Sequence, residues 1–494
     1  MVATAHALPL LVLVPLIGAA LIAAACRQRP GAAWWLALIV TTLTFIVSLE
    51  LLGQFLQTGT FTYAAGGWAP PYGIELRFDA YAATASIFCL IGLLAVVFSR
   101  HYVPASLPPE RIALFYALVT INLGGLNGFV ITGDLFTLFV FTEIFSISAY
   151  ALVATARGPQ AGLAALKYLF MGSVSSLLVL LAIGLIYAQT GTLNMADAAG
   201  RLGQAESLRP AALALALLGI GFLVKAALFP LHLWLPDAHA SAPGPVSALL
   251  SAVVVKAGVI GMIRLMQIFS ESDPALVSTM QQVLLWLGAL SALFGGVAAL
   301  VQADLKRLLA YSTVANIGYI FMGLGLGTAS AVAGASVHII NHAVIKAALF
   351  LAASALIHQS GLRRINELRG LGSQMPLTSF ALTCCLLALA GVPPTAGFVG
   401  KWQIALGALE AGRPGLIAVV IISGLLVLAY GIRLINILYF RAPLHARVLE
   451  AREAPATMLA PIIILAAASL LFGLAGSPML AFFANDLQPL LRVD

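Results

Sequence analysis

The chain has 494 residues, of which 61% are hydrophobic and 9% charged, and its formal net charge is +7. Soluble domains are about half apolar and about a quarter charged, so this composition excludes a water-soluble globular protein. The positive charge does not indicate a nucleic-acid partner, because no basic cluster exceeds Arg363, Arg364 and Arg369.

Apolar runs of about twenty residues, long enough to cross a bilayer as helix, recur along the whole chain. They predict an all-α integral membrane protein of about fourteen transmembrane helices. The first run resembles a signal peptide in length, but no Lys or Arg precedes it, so we interpret it as a span. In chain order the predicted spans are 7–26, 33–55, 79–99, 112–131, 135–155, 165–189, 211–240, 243–269, 280–301, 309–326, 330–358, 376–408, 415–440 and 457–483.

Lys and Arg are distributed unevenly between alternate loops, which predicts the orientation. Even-numbered loops hold four basic residues, namely Arg77, Arg201, Arg209 and Arg413. Odd-numbered loops hold thirteen: Arg27, Arg29, Arg100, Arg111, Arg157, Lys306, Arg307, Arg363, Arg364, Arg369, Arg441, Arg447 and Arg452. Because basic loops stay cytoplasmic, we expect a multi-pass protein of the inner (plasma) membrane with both termini outside.

Two short motifs recur at one spacing and indicate an internal repeat. Gly133-Asp134-Leu135 is echoed by Ala303-Asp304-Leu305, and the segment 187–191 by 357–361, so the residue numbers differ by 170 in both cases. A repeat of five spans places its second copy upside down, as in many secondary transporters. We therefore divide the chain into a three-helix segment 1–111, a first antiporter repeat 112–270, a second inverted repeat 280–440 and a C-terminal helix segment 441–494.

Each predicted repeat contains one span interrupted by prolines. Pro230 and Pro236 lie in the first, and Pro393 and Pro394 in the second. Proline removes a backbone donor and clashes with the preceding turn, so both helices should break inside the membrane. Matching interrupted spans in two halves are a sequence indicator of a transport path.

Ionisable residues inside predicted spans are expensive and need a reason. Arg264 and Arg433 lie toward span ends, where we expect them to extend to the lipid headgroups, and Lys167 is ambiguous. The remaining candidates, which we predict to relay protons, are Glu143, Lys225, Lys256, Lys401, His232, His338, His342 and Lys346.

Glu143 is the carboxylate of this set, and we expect Lys225 to pair with it from the neighbouring broken helix. Burial lowers the proton affinity of a lysine and a nearby carboxylate restores it, so moving the two groups apart would release a proton. A structural salt bridge is the competing interpretation. It would not need a broken helix beside it.

His338, His342 and Lys346 are spaced i, i+4 and i+8 and should lie along one helix face. Histidine titrates near neutral pH, so the three suit proton transfer through water. Zinc binding is the alternative, but no carboxylate or cysteine nearby completes the ligand set. We predict no metal and no cofactor, and assign Cys26, Cys89, Cys384 and Cys385 to packing.

These residues resemble the antiporter-like family shared by Mrp cation/proton antiporters, respiratory complex I and membrane-bound hydrogenases. The resemblance covers roughly 112–440, and the stretches 66–75 and 187–196 look most like the Mrp D subunit. A lysine at 401 is similar to that subunit or the complex I subunit nearest it, whereas another branch has glutamate there. The most specific motifs are Gly133 to Glu143, Phe229 to His239, Asn341 to Phe350 and Gly397 to Lys401.

The resemblance implies that Glu143 and Lys225 are the family's essential pair, Lys256 a central relay lysine and Lys401 the terminal group at the second broken helix. It implies a subunit of a multisubunit Na⁺/proton antiporter, with other membrane subunits as partners and no nucleic acid. A proton-pumping subunit of a redox complex, which would count as a translocase subunit, is the alternative. A non-transporting structural subunit is a third. No haem, iron–sulfur or nucleotide motif indicates a redox enzyme in its own right.

Overall fold

A computed structural model of the chain describes residues 7–26, 29–204, 209–270 and 272–491. Arg27, one of the basic loop residues counted above, lies outside these ranges. The described chain is almost entirely helical, with one two-stranded sheet.

Among the described residues, the first half contains eleven α-helices and both strands. They are α1 Leu10–Ala25, α2 Pro30–Thr58, β1 Phe61–Ala64, β2 Glu75–Phe78, α3 Ala85–Ser106, α4 Pro109–Ile131, α5 Leu135–Ala154, α6 Pro159–Thr190, α7 Met195–Leu202, α8 Arg209–Lys225, α9 Trp234–Ser241, α10 Gly244–Leu249 and α11 Val255–Ser270. A five-residue π-helical segment, Leu250–Val254, joins α10 to α11.

The second half is helical throughout, with short 3₁₀ turns at Ile365–Leu368, Ala484–Asp486 and Gln488–Leu490. Its α-helices are α12 Pro274–Leu300, α13 Leu305–Leu326, α14 Ala329–Ser360, α15 Leu371–Gln374, α16 Pro376–Ala390, α17 Ala396–Glu410, α18 Gly415–Phe440, α19 Ala446–Glu450, α20 Ala456–Leu474 and α21 Gly476–Phe483.

In the described part of the chain, eleven helices are long and apolar enough to cross a membrane, and α1 and α16 are shorter apolar helices. An all-α membrane fold is therefore confirmed, whereas the number fourteen stays a prediction. The centre of the fold is α14, which is buried along its length among α10, α13, α16, α17 and α20.

The predicted repeat has a structural counterpart in two pairs of helices. The residue numbers at which α5 and α13 begin differ by 170, and those of α6 and α14 differ by the same amount at both ends. The helices α6 and α14 are also equal in length. Asp134 and Asp304 cap α5 and α13, and each makes an isolated bridge further along the chain, to Asn194 and Arg364 respectively. The inverted orientation of the second copy stays a prediction.

Both proline-containing spans are interrupted. The first separates into α8 and α9 around residues 226–233, with Ala227 at a positive φ of 54° that non-glycine residues rarely adopt;. The second separates into α16 and α17 around residues 391–395. Pro236 was predicted to help break the first span, but it lies in the first turn of α9. A missing N–H does not disrupt a helix at that position.

Three other expectations about the spans were wrong. The span predicted at 79–99 is shifted, because Asp79 accepts from Ala82 N and starts a 3₁₀ turn before α3. The span predicted at 457–483 is two helices, α20 and α21, separated at Ala475. The segment 61–78 is a β-hairpin that pairs Phe61 with Phe78, where no strand was predicted.

Candidate functional site

Lys225 is the last residue of α8, directly before the first break, and only 4% of its surface is exposed. Its Nζ donates to Ser146 Oγ at 2.8 Å and to Tyr150 OH at 3.3 Å, both on α5. The direct pair with Glu143 that the sequence predicts is not formed. Glu143 lies one turn earlier on α5, within electrostatic reach of the lysine.

Glu143 faces a groove on the outside of α4 and α5. The groove has a volume of about 370 Å³ and is apolar apart from Glu143 and Ser148. Glu143 Oε1 is buried and has no hydrogen-bond partner among the described residues. The carboxylate can therefore change position without breaking a hydrogen bond at Oε1.

Lys256 is fully buried in the first turn of α11, beside the π-helical segment. Its Nζ donates to Ser251 O at 2.6 Å, a carbonyl inside that segment. Gly258 of α11 packs closely against the residue that follows Lys225, since a Cβ on this glycine would lie 2.3 Å from Ala226 N. Lys225 and Lys256 therefore flank one packed junction between α8 and α11.

The two histidines of α14 lie between the lysines. The rings of His338 and His342 stack at a centroid distance of 5.8 Å, and His338 Nε2 contacts Asn316 Oδ1 at 3.1 Å. His342 lies within electrostatic range of Lys256, Lys346 and Lys401. Within the described ranges, neither nitrogen of His342 has a hydrogen-bond partner, so both are free to bind water;.

Lys346 and Lys401 complete the lysine set. Lys346 Nζ donates to Leu309 O at 2.5 Å and Ser312 Oγ at 2.7 Å, both on α13. Lys401 lies in α17 and its Nζ reaches back across the second break to Leu389 O at 2.7 Å, at the end of α16. The same ammonium lies 4.5 Å from the centre of the Tyr319 ring.

Three of these four lysines lie beside, or reach, a place where the helical backbone is irregular. Lys225 ends a helix at the first break, Lys256 follows the π-helical segment, and the ammonium of Lys401 reaches across the second break. The regular hydrogen-bond ladder is interrupted at all three places. Interrupted backbone is tolerated in a membrane only where protein or internal water satisfies it. Lysine is a donor with no acceptor, so a free carbonyl is a suitable partner for its ammonium group.

His232 lies inside the first break and is almost fully buried. Its ring packs near Phe229, Phe294 and Tyr311 at centroid distances of 5.6, 5.2 and 6.0 Å. Its Nδ1 has no hydrogen-bond partner in the described part of the chain. The site therefore has an unsatisfied nitrogen at the first break as well as on α14.

Lys306 and His239 were not predicted as site residues. Lys306 was counted as a loop charge, but it lies in the first turn of α13, is 5% exposed and donates to Ala242 O at 2.8 Å. His239 is fully buried, stacks on Phe350 at 4.5 Å and lies within electrostatic range of Lys306, Lys346 and Lys256. The proximity of His239 to these lysines was not visible in sequence, because it arises between different helices.

A cavity of about 140 Å³ opens beside Lys306 at the odd-numbered loops, the ones that carry most of the basic residues. Tyr102 and Arg363 line it together with Lys306. Lys306 lies in the wall of this cavity and within electrostatic range of His239, which is also within range of Lys346 and Lys256.

The expectation that Arg264 extends to the headgroups was wrong. Arg264 is 5% exposed, and its two terminal nitrogens bond the carboxylate of fully buried Asp79 at 2.5 and 2.9 Å. A bidentate pair of this kind ties α11 to the segment before α3. Sequence could not reveal it, because 185 residues separate the partners.

Lys167 is half-exposed and pairs with Asp237 of α9 at 2.7 Å. Arg307 of α13 reaches the same carboxylate at 2.5 Å. This triad links α6, α9 and α13 at the surface, and such exposed pairs contribute little to stability. Within the described ranges there is no group of three or more His, Cys, Asp or Glu residues that could hold a metal.

Known proteins share this sequence over most of its length. The family described as "NADH:quinone oxidoreductase/Mrp antiporter, TM" matches residues 132–427. The N subunit of NADH-quinone oxidoreductase from Desulforudis audaxviator is 40% identical over 425 residues, which cover 83% of this chain and 84% of the relative. The D subunit of the Na(+)/H(+) antiporter from Bacillus subtilis is 32% identical over 448 residues, 88% of each chain.

Solved structures share the fold. A chain of the membrane-bound sulfane sulfur reductase, an archaeal respiratory membrane complex, aligns over 98% of both chains with a TM-score of 0.90 and 32% identity. A chain of the Mrp complex from Dietzia sp. DQ12-45-1b aligns over 99% of this chain and 98% of its own, with a TM-score of 0.89 and 25% identity. The chain therefore belongs to the NADH:quinone oxidoreductase/Mrp antiporter transmembrane family and is an antiporter-like membrane subunit.

Proposed function

We propose that the chain translocates protons along its buried ionisable residues, as a subunit of a multisubunit Na⁺/proton antiporter. The observation that carries this proposal is the row of buried groups from Lys225 through Lys256 and His342 to Lys401. Each ammonium in it is held by a backbone carbonyl or a hydroxyl rather than by a carboxylate. A chain of exchangeable bases suits protons better than a hydrated metal cation, which needs a cage of oxygen ligands.

The lysines of this row can change protonation state because they bond only to neutral acceptors. A lysine bound only to neutral acceptors loses less on deprotonation than one bound to a carboxylate, because no buried negative charge is left behind. Glu143 is close enough to act on Lys225 yet does not touch it. Movement of Glu143 toward Lys225 favours the ammonium, and movement away favours proton release to the next group.

Protons enter this path through the cavity at Lys306 and pass His239 to reach Lys346 and Lys256. Support for this route comes from the buried Lys306 in the cavity wall and the two unpartnered nitrogens of His239 among the described residues. The four proposed relay groups His232, His338, His342 and Lys346 supply sites for intervening water.

The Na⁺/proton antiporter assignment is supported by the similarity to the D subunit of a Na(+)/H(+) antiporter over most of both chains. A redox-driven proton pump is the second candidate, favoured by the 40% identity to a NADH-quinone oxidoreductase subunit. The assembled complex, reconstituted in vesicles, separates them. An imposed Na⁺ gradient that moves protons without an electron donor supports the antiporter, whereas movement only on addition of a donor supports the pump.

The relay itself is tested by Lys225→Arg. Arginine keeps the positive charge but does not release its proton at accessible pH. We therefore expect proton flux in vesicles to be lost at matched protein level, while Lys167→Arg, a change at a half-exposed lysine, leaves flux unchanged. Flux near wild type in Lys225→Arg would contradict the relay and leave Lys225 as a structural counter-ion.

A further inference from the structure

A charged cavity lies at the odd-numbered loops that contain Arg369 and Arg441, and no residue of the buried row lines it. It has a volume of about 530 Å³ and is formed by one end of α18 and the segment that follows α14. Its walls contain Arg369, Arg433 and Arg441 together with Asn366 and Asn436. No acidic residue lines it.

The three arginines are uncompensated. None of them forms an ion pair with a residue that the structure describes. Arg433 donates to Leu300 O at 2.8 Å, and Arg441 Nε donates to Asn436 Oδ1 at 3.0 Å. Arg369 Nε is buried and has no hydrogen-bond partner in the described chain. The cavity thus presents three positive charges and a free donor.

The backbone holds the walls in place independently of any ligand. Gly370 has a positive φ of 77°, and its N–H donates to Ile437 O of α18 at 3.1 Å. A Cβ on this glycine would lie 2.8 Å from the Pro443 ring, so the segment around residue 370 packs directly against the end of α18. The arginines are therefore brought together by a fixed loop.

One side of the cavity opens toward the lipid. Ile432, in the cavity wall, is 54% exposed, and Leu425 and Ile421 continue the same exposed apolar surface along α18. Phe440 is 77% exposed at the end of the helix, as aromatic residues often are at the membrane interface;. A ligand here meets cations at its head and an apolar surface along its length.

We propose that this cavity binds the headgroup of an anionic phospholipid, with the phosphodiester between Arg369 and Arg441 and the acyl chains along α18. Arginine is suited to phosphate because its planar group offers paired donors. Basic pockets between transmembrane helices on the cytoplasmic side are known to bind lipid headgroups, and the loop charges predict this face to be cytoplasmic. A water-soluble phosphate compound would leave the apolar side of the cavity unused.

The test compares lipids on the full-length protein in non-ionic detergent. Phosphatidylglycerol or phosphatidylcholine is added, and native mass spectrometry measures the bound fraction of each. We expect wild type to prefer phosphatidylglycerol. The double variant Arg369→Gln with Arg441→Gln should lose about twenty-five-fold in affinity for it, because each basic residue near an anionic surface contributes about five-fold. Arg433 is retained because it bonds α12.

Arg452→Gln is the matched control, since it removes an exposed arginine from the same face but outside the cavity. It should leave phosphatidylglycerol binding unchanged. If the double variant does not fold, the wild type still tests the proposal, because salt should weaken binding of phosphatidylglycerol and not of phosphatidylcholine.

Three results would overturn the proposal. The first is equal binding of the two lipids by wild type. The second is complete displacement of phosphatidylglycerol by inorganic phosphate, which would make the cavity a site for a soluble anion. The third is a carbodiimide cross-link between Arg369→Lys and a carboxylate of another subunit in the assembled complex, which would assign the cavity to a protein partner.

Discussion

At the residue scale, Glu143 is the carboxylate of the proposed path, and its surroundings constrain it only weakly. One of its carboxylate oxygens has no partner within the described ranges, while the nearby lysine is held by Ser146 and Tyr150. Its place inside a span could be identified from the sequence, because a carboxylate in an apolar span is costly;. Its distance from Lys225 could not, because side-chain hydroxyls on α5 compete for the ammonium.

Glu143→Gln should lower proton flux by about a hundred-fold, the lower end of what a positioned proton-transferring side chain contributes. The amide preserves the volume of the side chain and removes its charge, so assembly should be unaffected. Flux is measured in vesicles that contain the assembled complex, with exposed Glu110→Gln of α4 as the control. Glu143→Asp should retain part of the flux, and tolerance of Glu143→Ala would favour a structural subunit.

The buried pair of Asp79 and Arg264 has a purely structural prediction. Arg264→Met should lower the free energy of unfolding by about 3 kcal/mol, the lower end for a broken buried pair, because Asp79 loses its bidentate partner but keeps Arg77 Nε at 3.3 Å;. Adding Asp79→Leu should restore much of that loss, since an apolar pair needs no compensation. Thermal unfolding in detergent measures both variants. Equal destabilisation by the double variant would contradict the explanation that the loss comes from the buried carboxylate of Asp79. Arg201→Gln, at an exposed pair with Asp197, should change stability by less than about 1 kcal/mol;.

At the scale of elements, the breaks could be predicted and the π-helical segment could not. Prolines 230, 393 and 394 interrupt hydrogen-bond ladders in a way that sequence reveals directly. The segment Leu250–Val254 contains no proline or glycine to mark it, and it packs against α14. The acceptor for Lys256 was therefore invisible in sequence. The shift of α3 follows from the local contact of Asp79 Oδ1 with Ala82 N, which the apolar pattern does not show. The β-hairpin was missed because Glu75 contacts Asn194, which is 119 residues away.

Gly391 ends α16 at the second break with a positive φ of 90°. Gly391→Ala should cost about 1–2 kcal/mol, because the left-handed conformation is unfavourable for a residue with a Cβ. That Cβ would also lie 3.1 Å from Lys401 Cδ, so proton flux should fall together with thermal stability. Gly162→Ala in α6, with no atom near the added Cβ, should instead leave flux unchanged and raise stability slightly;. Normal proton flux in Gly391→Ala would contradict a role of the second break in proton transfer.

At the scale of the whole molecule, the orientation rests on loop charges. Burial of Lys306 still leaves twelve basic residues against four, since it removes one of the thirteen counted. A cysteine at Arg364, which is exposed, should react with a membrane-impermeant thiol reagent only from the cytoplasmic side;. A cysteine at exposed Gln204 should react only from outside. Reaction of both from one side would contradict the span count.

The common offset of α5 and α6 with α13 and α14 has a consequence for direction. Adding 170 to the numbers of Glu143, Ser146 and Ser176 gives Thr313, Asn316 and Lys346. At these equivalent positions, a charged residue in one copy corresponds to a neutral residue in the other. The hydroxyl of Ser146, which binds Lys225, corresponds to the amide of Asn316, which binds His338. Two segments with matching helix positions thus carry different ionisable side chains. On the proposed path, we therefore expect a proton to meet the ionisable groups in an order that differs between the two ends, although the helices of the two copies begin at matching positions.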